Sequence, residues 1–125
     1  MTSANRLCVL VVDDHLMVRE SIADLIRIYG ANVVVAEDAV AALNILNSSA
    51  IDVVVSDIEM PHHDGFWFIR ELRSKPSLRP IPAIAFTSLE NTRRILDAGF
   101  SAHVDKASPH TLWLTIQRLR RQAAG

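Results

Sequence analysis

The sequence predicts one α/β domain, an open sheet of five parallel strands with helices on both faces. Three observations carry that expectation. Five apolar runs of strand length recur along the 125-residue chain. Three of them are nearly continuous in Val, Ile, Leu, Ala and Phe, the pattern of parallel strands covered on both sides. The gaps between runs hold apolar residues at helical spacing, and strand–helix alternation repeated five times implies right-handed crossovers.

The first run, Leu7 to Val12, contains the only cysteine, Cys8, where a small buried side chain fits and no internal disulfide is available. After it, Val18, Ile22, Leu25 and Tyr29 recur at steps of three and four, and Gly30 stands just past the helix end. The second strand is Asn32 to Ala36. Asp38 is placed to cap a helix bearing Val40, Leu43 and Leu46. Ile51 to Ser56 forms the third strand, followed by a helix marked by Phe66, Ile69 and Leu72. Ile81 to Thr87 is the fourth, and Ile95 sits in a short helix ending near Gly99. The fifth run is Ala102 to Asp105. Ser108 before Pro109 reads as the start of the last helix, with the serine accepting free amides and a stripe at Leu112, Ile116 and Leu119.

Composition bounds the function. Half of the residues are hydrophobic and 22% are charged, as in a packed globular domain. The expected layout is a tail at 1–6, the domain at 7–122 and a tail at 123–125. A net charge of -1 gives no sequence-wide pull toward nucleic acid. No signal peptide is legible and no run approaches membrane-spanning length, so the expectation is a cytoplasmic protein with no membrane partner. Arg118, Arg120 and Arg121 read as a solvated face that complements a helix dipole. His62 and His63 read as an exposed turn, and Trp67 and Trp113 as packing residues.

In open α/β sheets, ligands bind beyond the carboxyl ends of the strands. There the sequence places Asp13 and Asp14 after the first strand, Asp57 after the third, Thr87 after the fourth and Lys106 after the fifth. Three carboxylates gathered at one edge repel one another unless a cation sits among them, and a hard divalent ion with oxygen ligands answers that need. Mg²⁺ is the expected cofactor. Asp57 then serves as a nucleophile that forms an acyl phosphate, with Lys106 and Thr87 binding the transferred group.

These residues fall in motifs. VLVVDDH, VVVSDIEMPHHDG, PAIAFTS and DAGFSAHVDK, in that order, resemble the receiver domains of bacterial response regulators, over nearly all of the chain from Leu7 to Arg121. The resemblance implies a flavodoxin-like (βα)5 fold, a doubly wound parallel sheet of order 2-1-3-4-5. It further implies that Asp14 and Asp57 ligate Mg²⁺ directly, that Asp13 acts mainly through water, and that the Glu59 backbone carbonyl completes the protein ligands. Thr87 is the implied switch hydroxyl. The implied partners are a histidine kinase or histidine phosphotransfer protein upstream and a downstream protein or output domain. The implied class is a signalling switch rather than an enzyme.

Three departures from the family pattern stand out. His103 occupies the switch position where the family carries an inward-swinging Tyr or Phe. Ala107 follows Lys106 in place of a proline whose preceding bond is cis; a cis bond before alanine costs about 3 kcal/mol, so trans is expected. The stretch from Thr87 to Lys106 is shorter by about one helical turn, giving a shortened fourth helix region. That shortening predicts signalling through a contact other than the usual dimer, with Arg93, Arg94, Trp113 and Leu114 as candidates. Phosphatases of the haloacid dehalogenase type place their nucleophile after the first strand, which Asp57 does not match. The alternative that remains is a receiver-like interaction module that is not phosphorylated.

Overall fold

The structure, a computed structural model, describes residues 6–124. Strands β1 (Cys8–Val12), β2 (Asn32–Ala36), β3 (Val53–Ser56), β4 (Ala83–Phe86) and β5 (Ala102–Val104) form one sheet. Its order is β2-β1-β3-β4-β5, every neighbour parallel. Between and after them run α1 (Leu16–Ile28), α2 (Ala39–Ser48), α3 (Gly65–Ser74), α4 (Thr92–Ala98) and α5 (Leu112–Ala124). The expected architecture and order are present, and α4, at seven residues, is the shortest helix.

Side chains alternate across a strand, so the buried strands divide the core in two. Leu10, Val12, Val54, Ala83 and Ala85 pack with α2, α3 and α4, while Val9, Val11, Val53, Val55, Ile84 and Phe86 pack with α1 and α5. The strands are trimmed relative to their apolar runs. Pro82 has no N–H to give, and its carbonyl accepts from Val54 N–H at 2.9 Å, so regular pairing of β4 starts at Ala83.

Several local readings are corrected. The buried stripe of α1 runs through Ile22, Ala23 and Ile26, and Tyr29 leaves the helix to stack on Trp113 of α5, with ring centroids 5.1 Å apart. In α2 the inward positions are Ala39, Ala42, Leu43 and Leu46, which turns Val40 to solvent. The Ser108 side chain caps nothing. Its carbonyl instead accepts from the Thr111 amide and hydroxyl in a short 3-10 turn, Pro109–Thr111. Cys8 is half-buried rather than enclosed, and burial followed by the neighbouring Asp52 charge raises its thiol pKa, which keeps it unreactive. Asp38 does cap α2, accepting from Ala41 N–H at 2.7 Å. Asp64 and Asn91, not read as caps from the sequence, cap α3 and α4 in the same way. No cis peptide occurs among the described residues, so Lys106–Ala107 is trans.

Candidate phosphoacceptor site

Because β1 and β3 are central neighbours, their carboxyl ends bring Asp13, Asp14 and Asp57 into one crevice. Asp57 is 3% exposed. Its Oδ1 accepts the Ile58 amide at 2.7 Å and, more weakly, the Glu59 amide at 3.4 Å. Its Oδ2 lies 3.2 Å from Lys106 Nζ. The lysine reaches from the loop after β5 and sits equally close, 3.2 Å, to Asp13 Oδ2. Asp13 is further tied by the His15 amide at 2.9 Å, and its carbonyl accepts from the Arg19 guanidinium at 2.8 Å.

Burial, the largest influence, and the Asp13 charge raise the Asp57 pKa despite the opposing pull of Lys106. Burial alone lowers the Lys106 pKa, but Asp57 and Asp13 together outweigh it and the net shift is upward. The two directions look contradictory for one ion pair. They agree once the charges are counted, because one ammonium is shared between two buried carboxylates and cannot compensate both.

Asp14 Oδ1 is buried and has no hydrogen-bond partner. His15 Nδ1 is 3.2 Å away, without hydrogen-bond geometry. An unpartnered buried carboxylate oxygen beside two more carboxylates is the donor set that a hard divalent cation requires. One ligand atom each from Asp13, Asp14, His15 and Asp57 lie within 4.8 Å of one another.

Thr87 is buried at the end of β4, where its Oγ1 accepts from Leu89 N–H at 3.2 Å, leaving the hydroxyl proton free to donate. It makes no hydrogen bond to the carboxylates. His103 stands farther along the same edge, its Nε2 3.2 Å from the Thr87 carbonyl oxygen and its Nδ1 2.9 Å from Thr92 Oγ1. A carbonyl only accepts, so Nε2 carries the proton and, in the neutral ring, the Thr92 hydroxyl donates to Nδ1. Glu59 is exposed and its carboxylate stands outside the cluster. His62 and His63 also lie outside it, and His63 stacks on Trp67 at 3.9 Å.

The model of the response regulator receiver domain matches residues 9–117. The chain belongs to that family. It is 33% identical, over 98% of its length, to the sensor histidine kinase RcsC of Salmonella typhi, and 37% identical, over 83% of its length, to a gliding motility regulatory protein of Myxococcus xanthus. It spans 14% of each of those relatives. Among solved structures, the chemotaxis response regulator CheY4 of Vibrio cholerae superimposes with a TM-score of 0.84 at 28% identity, covering 92% of this chain and 99% of that one. The receiver family is a signalling family.

Two residues of this receiver's site were underrated from sequence. His15 was not among the expected site residues, although its position directly after Asp13 and Asp14 was a signal. Gly65 was part of the resemblance but had no stated role; a Cβ there would stand 2.6 Å from the Asp57 carbonyl oxygen.

Proposed function

We propose that this receiver is a phosphoacceptor switch in a two-component or phosphorelay pathway, taking a phosphoryl group from a histidine kinase or histidine phosphotransfer protein onto Asp57. The observation that carries the reading is the buried Asp57 carboxylate, aimed by the Ile58 amide and paired through Oδ2 with Lys106. An Asp57 oxygen attacks phosphorus, the P–O bond forms as the donor's P–N bond breaks, and the leaving imidazole keeps the electron pair and takes a proton. Lys106 Nζ, already between Asp13 and Asp57, follows the charge that develops on the phosphoryl oxygens. The Thr87 hydroxyl, whose proton is free while its Oγ1 accepts from Leu89 N–H, donates to one of those oxygens and draws the end of β4 toward the site.

Asp14 and Asp57, with the Glu59 backbone carbonyl, are the proposed direct ligands of Mg²⁺, and Asp13 the ligand through water. When bound, the ion supplies charge neutralisation for the transferring group. Lys106 and Thr87 act on the phosphoryl group, and His103 is the proposed switch residue, since it joins the Thr87 backbone to the first residue of α4. The protein is a switch rather than a turnover enzyme, and it works in the cytoplasm. Among the described residues no helix is long and apolar enough to cross a membrane. A groove of about 300 Å³ lined by Met17, Val18, Pro109 and Lys106, with Met17 exposed, gives an upstream phosphodonor protein access beside the site.

The downstream contact uses the α4, β5 and α5 edge in a register of its own. Arg94 is engaged over the Phe66 ring at 4.1 Å and Trp113 on Tyr29, leaving Arg93 and Leu114 as the more available anchors. From Thr92 onward, leaving aside Lys106 in the site, Arg93, Arg94, Arg118, Arg120 and Arg121 outnumber Asp97 and Asp105, so the partner is a protein with acidic character and nucleic acid is not required.

Incubation with Mg²⁺ and a small phosphodonor, followed by intact-mass measurement, tests the reading. One labile phosphoryl group is expected on the native chain and none on Asp57→Asn. Failure of the native chain to label would favour an unphosphorylated interaction module.

A further inference from the structure

His15 stands at the N-cap of α1 in extended backbone, with φ -90° and ψ 112°, yet its side chain caps nothing. Its amide is held by Asp13 Oδ1 at 2.9 Å, which fixes the backbone beside the acidic crevice. The imidazole Nδ1 lies 3.2 Å from the unpartnered Asp14 Oδ1 and 3.4 Å from Asp13 Oδ1. Two donors at right angles around one ion, each about 2.1 Å from it, stand about 3.0 Å apart. The Asp14 Oδ1 to His15 Nδ1 separation is close to that edge length, and the four-atom group including Asp57 fits within 4.8 Å. The side chain is 65% exposed, so its position over the carboxylates is not enforced by packing.

We propose that His15 Nδ1 is a ligand of the divalent cation at this site and a determinant of which cation binds. The inference rests on reading Asp13, Asp14 and Asp57 as a cation site. An all-oxygen set suits Mg²⁺, whereas a neutral imidazole adds a donor that Zn²⁺ and Ni²⁺ take far more readily than Mg²⁺ does. His15 therefore raises affinity for borderline first-row ions while changing Mg²⁺ binding little. A cell's free Zn²⁺ or Ni²⁺ would then compete with Mg²⁺ for the receiver, an input on the site separate from the kinase.

The test uses the whole chain at about pH 8, titrated calorimetrically with Mg²⁺ alone and Zn²⁺ alone, in the native form and as His15→Gln. Zn²⁺ affinity is expected to fall at least about tenfold in the variant, with Mg²⁺ affinity changed less than about twofold. Asp14→Asn should weaken both ions. Ring ¹⁵N NMR identifies the donor directly, because a zinc-bound Nδ1 of His15 shifts while the ring nitrogens of His62, His63 and His110 do not. Zn²⁺ and Mg²⁺ losing affinity equally in His15→Gln, or a zinc shift on His62 and His63 with His15 unmoved, would overturn the proposal while leaving the Mg²⁺ reading intact. Absence of Mg²⁺ binding to the native chain, or its indifference to Asp14→Asn, would overturn both.

Discussion

Gly65 opens α3, where an alanine would ordinarily help: in a helix it is favoured over glycine by about 1 kcal/mol. Here the geometry reverses the sign. A Cβ on Gly65 would lie 2.6 Å from the Asp57 carbonyl oxygen, 2.7 Å from Ile58 Cα and 2.9 Å from Ile58 Cδ1. Ordinary carbon contacts are about 3.5 Å or more, so something must move by about 0.8 Å. Two of the three obstacles are backbone, and that backbone carries Asp57, the proposed phosphoacceptor. The Gly65 amide also donates to the Ile58 carbonyl at 2.7 Å, a bond that the same displacement lengthens. Overpacking of this kind costs about 1–3 kcal/mol, and the upper half of that range applies where backbone must shift; less the propensity gain of about 1 kcal/mol, Gly65→Ala is expected to lower stability by about 1–2 kcal/mol. A misplacement approaching 1 Å at a reacting group is worth up to about a hundredfold in rate. Phosphoacceptance from a small phosphodonor should accordingly fall by at least tenfold. Urea unfolding followed by circular dichroism reads the first effect as a lower midpoint with an unchanged slope, and time-resolved intact mass reads the second. Gly30→Ala is the control. Gly30 has φ +94° and open space around its Cβ, so it should lose stability through backbone strain alone and label at the native rate. Equal or greater stability in Gly65→Ala, or a loss of stability with undiminished labelling, would refute the claim that this glycine positions Asp57.

The raised Asp57 pKa gives a pH signature in the absence of metal. The native state holds its proton where the unfolded chain has released it, so the contribution to stability falls as pH rises from the unfolded carboxylate range, about 3.9, through the raised value. In excess chelator Asp57→Asn should therefore have a higher Tm than the native chain at neutral pH. That gap should close below the unfolded carboxylate range, and a gap independent of pH would deny the electrostatic cause. Added Mg²⁺ should raise the native chain's Tm at neutral pH and leave Asp57→Asn much less affected, as differential scanning fluorimetry would show. Arg73 donates to the carbonyls of Gly99, Arg79 and Ile81, joining the end of α3 to the approaches of β4 and β5. Arg73→Ala should cost about 2–4 kcal/mol in chemical denaturation, and a loss below 1 kcal/mol would show the carbonyls rehydrate freely.

The fold was legible because its signals are long and redundant. Continuous apolar runs at Leu7 to Val12, Ile51 to Ser56 and Ile81 to Thr87 leave little choice but buried parallel strands, and the order follows from the family resemblance. Helix faces were read less well where period and geometry part. Leu25 and Tyr29 satisfy a three-and-four spacing as well as Ile26 does, but only the tertiary position of α5, with Trp113 waiting for Tyr29, selects between them. Ser108 before Pro109 has the composition of a cap, yet the 3-10 turn lets its carbonyl do that work. In the site, the convergence of Asp13, Asp14, Asp57 and Lys106 followed from strand ends. The Arg19 contact to the Asp13 carbonyl and the His15 position did not, because each depends on how α1 leaves β1.

Among the described residues, the buried polar or charged side chains are Asp13, Ser56, Asp57 and Thr87. All four lie at the last residue of a strand or the one after it, at the same edge of β1, β3 and β4. Ser56 is there in a supporting role, its hydroxyl donating to the Asp57 carbonyl at 2.8 Å. Elsewhere the core follows the apolar rule without exception, so the violations of that rule are confined to one crevice. Burial at that crevice opposes the charge on Asp57, a single lysine is divided between two carboxylates, and one oxygen of Asp14 has no partner. On the proposed reading a cation and a phosphoryl group relieve all three conditions at once, and the Thr87 hydroxyl proposed to follow the phosphoryl oxygens stands at the β4 end to which His103 is bonded. Under the proposed function, these unsatisfied groups at the strand ends are what would couple chemistry at Asp57 to the α4, β5 and α5 edge, because Thr87 and His103 join the site to that edge.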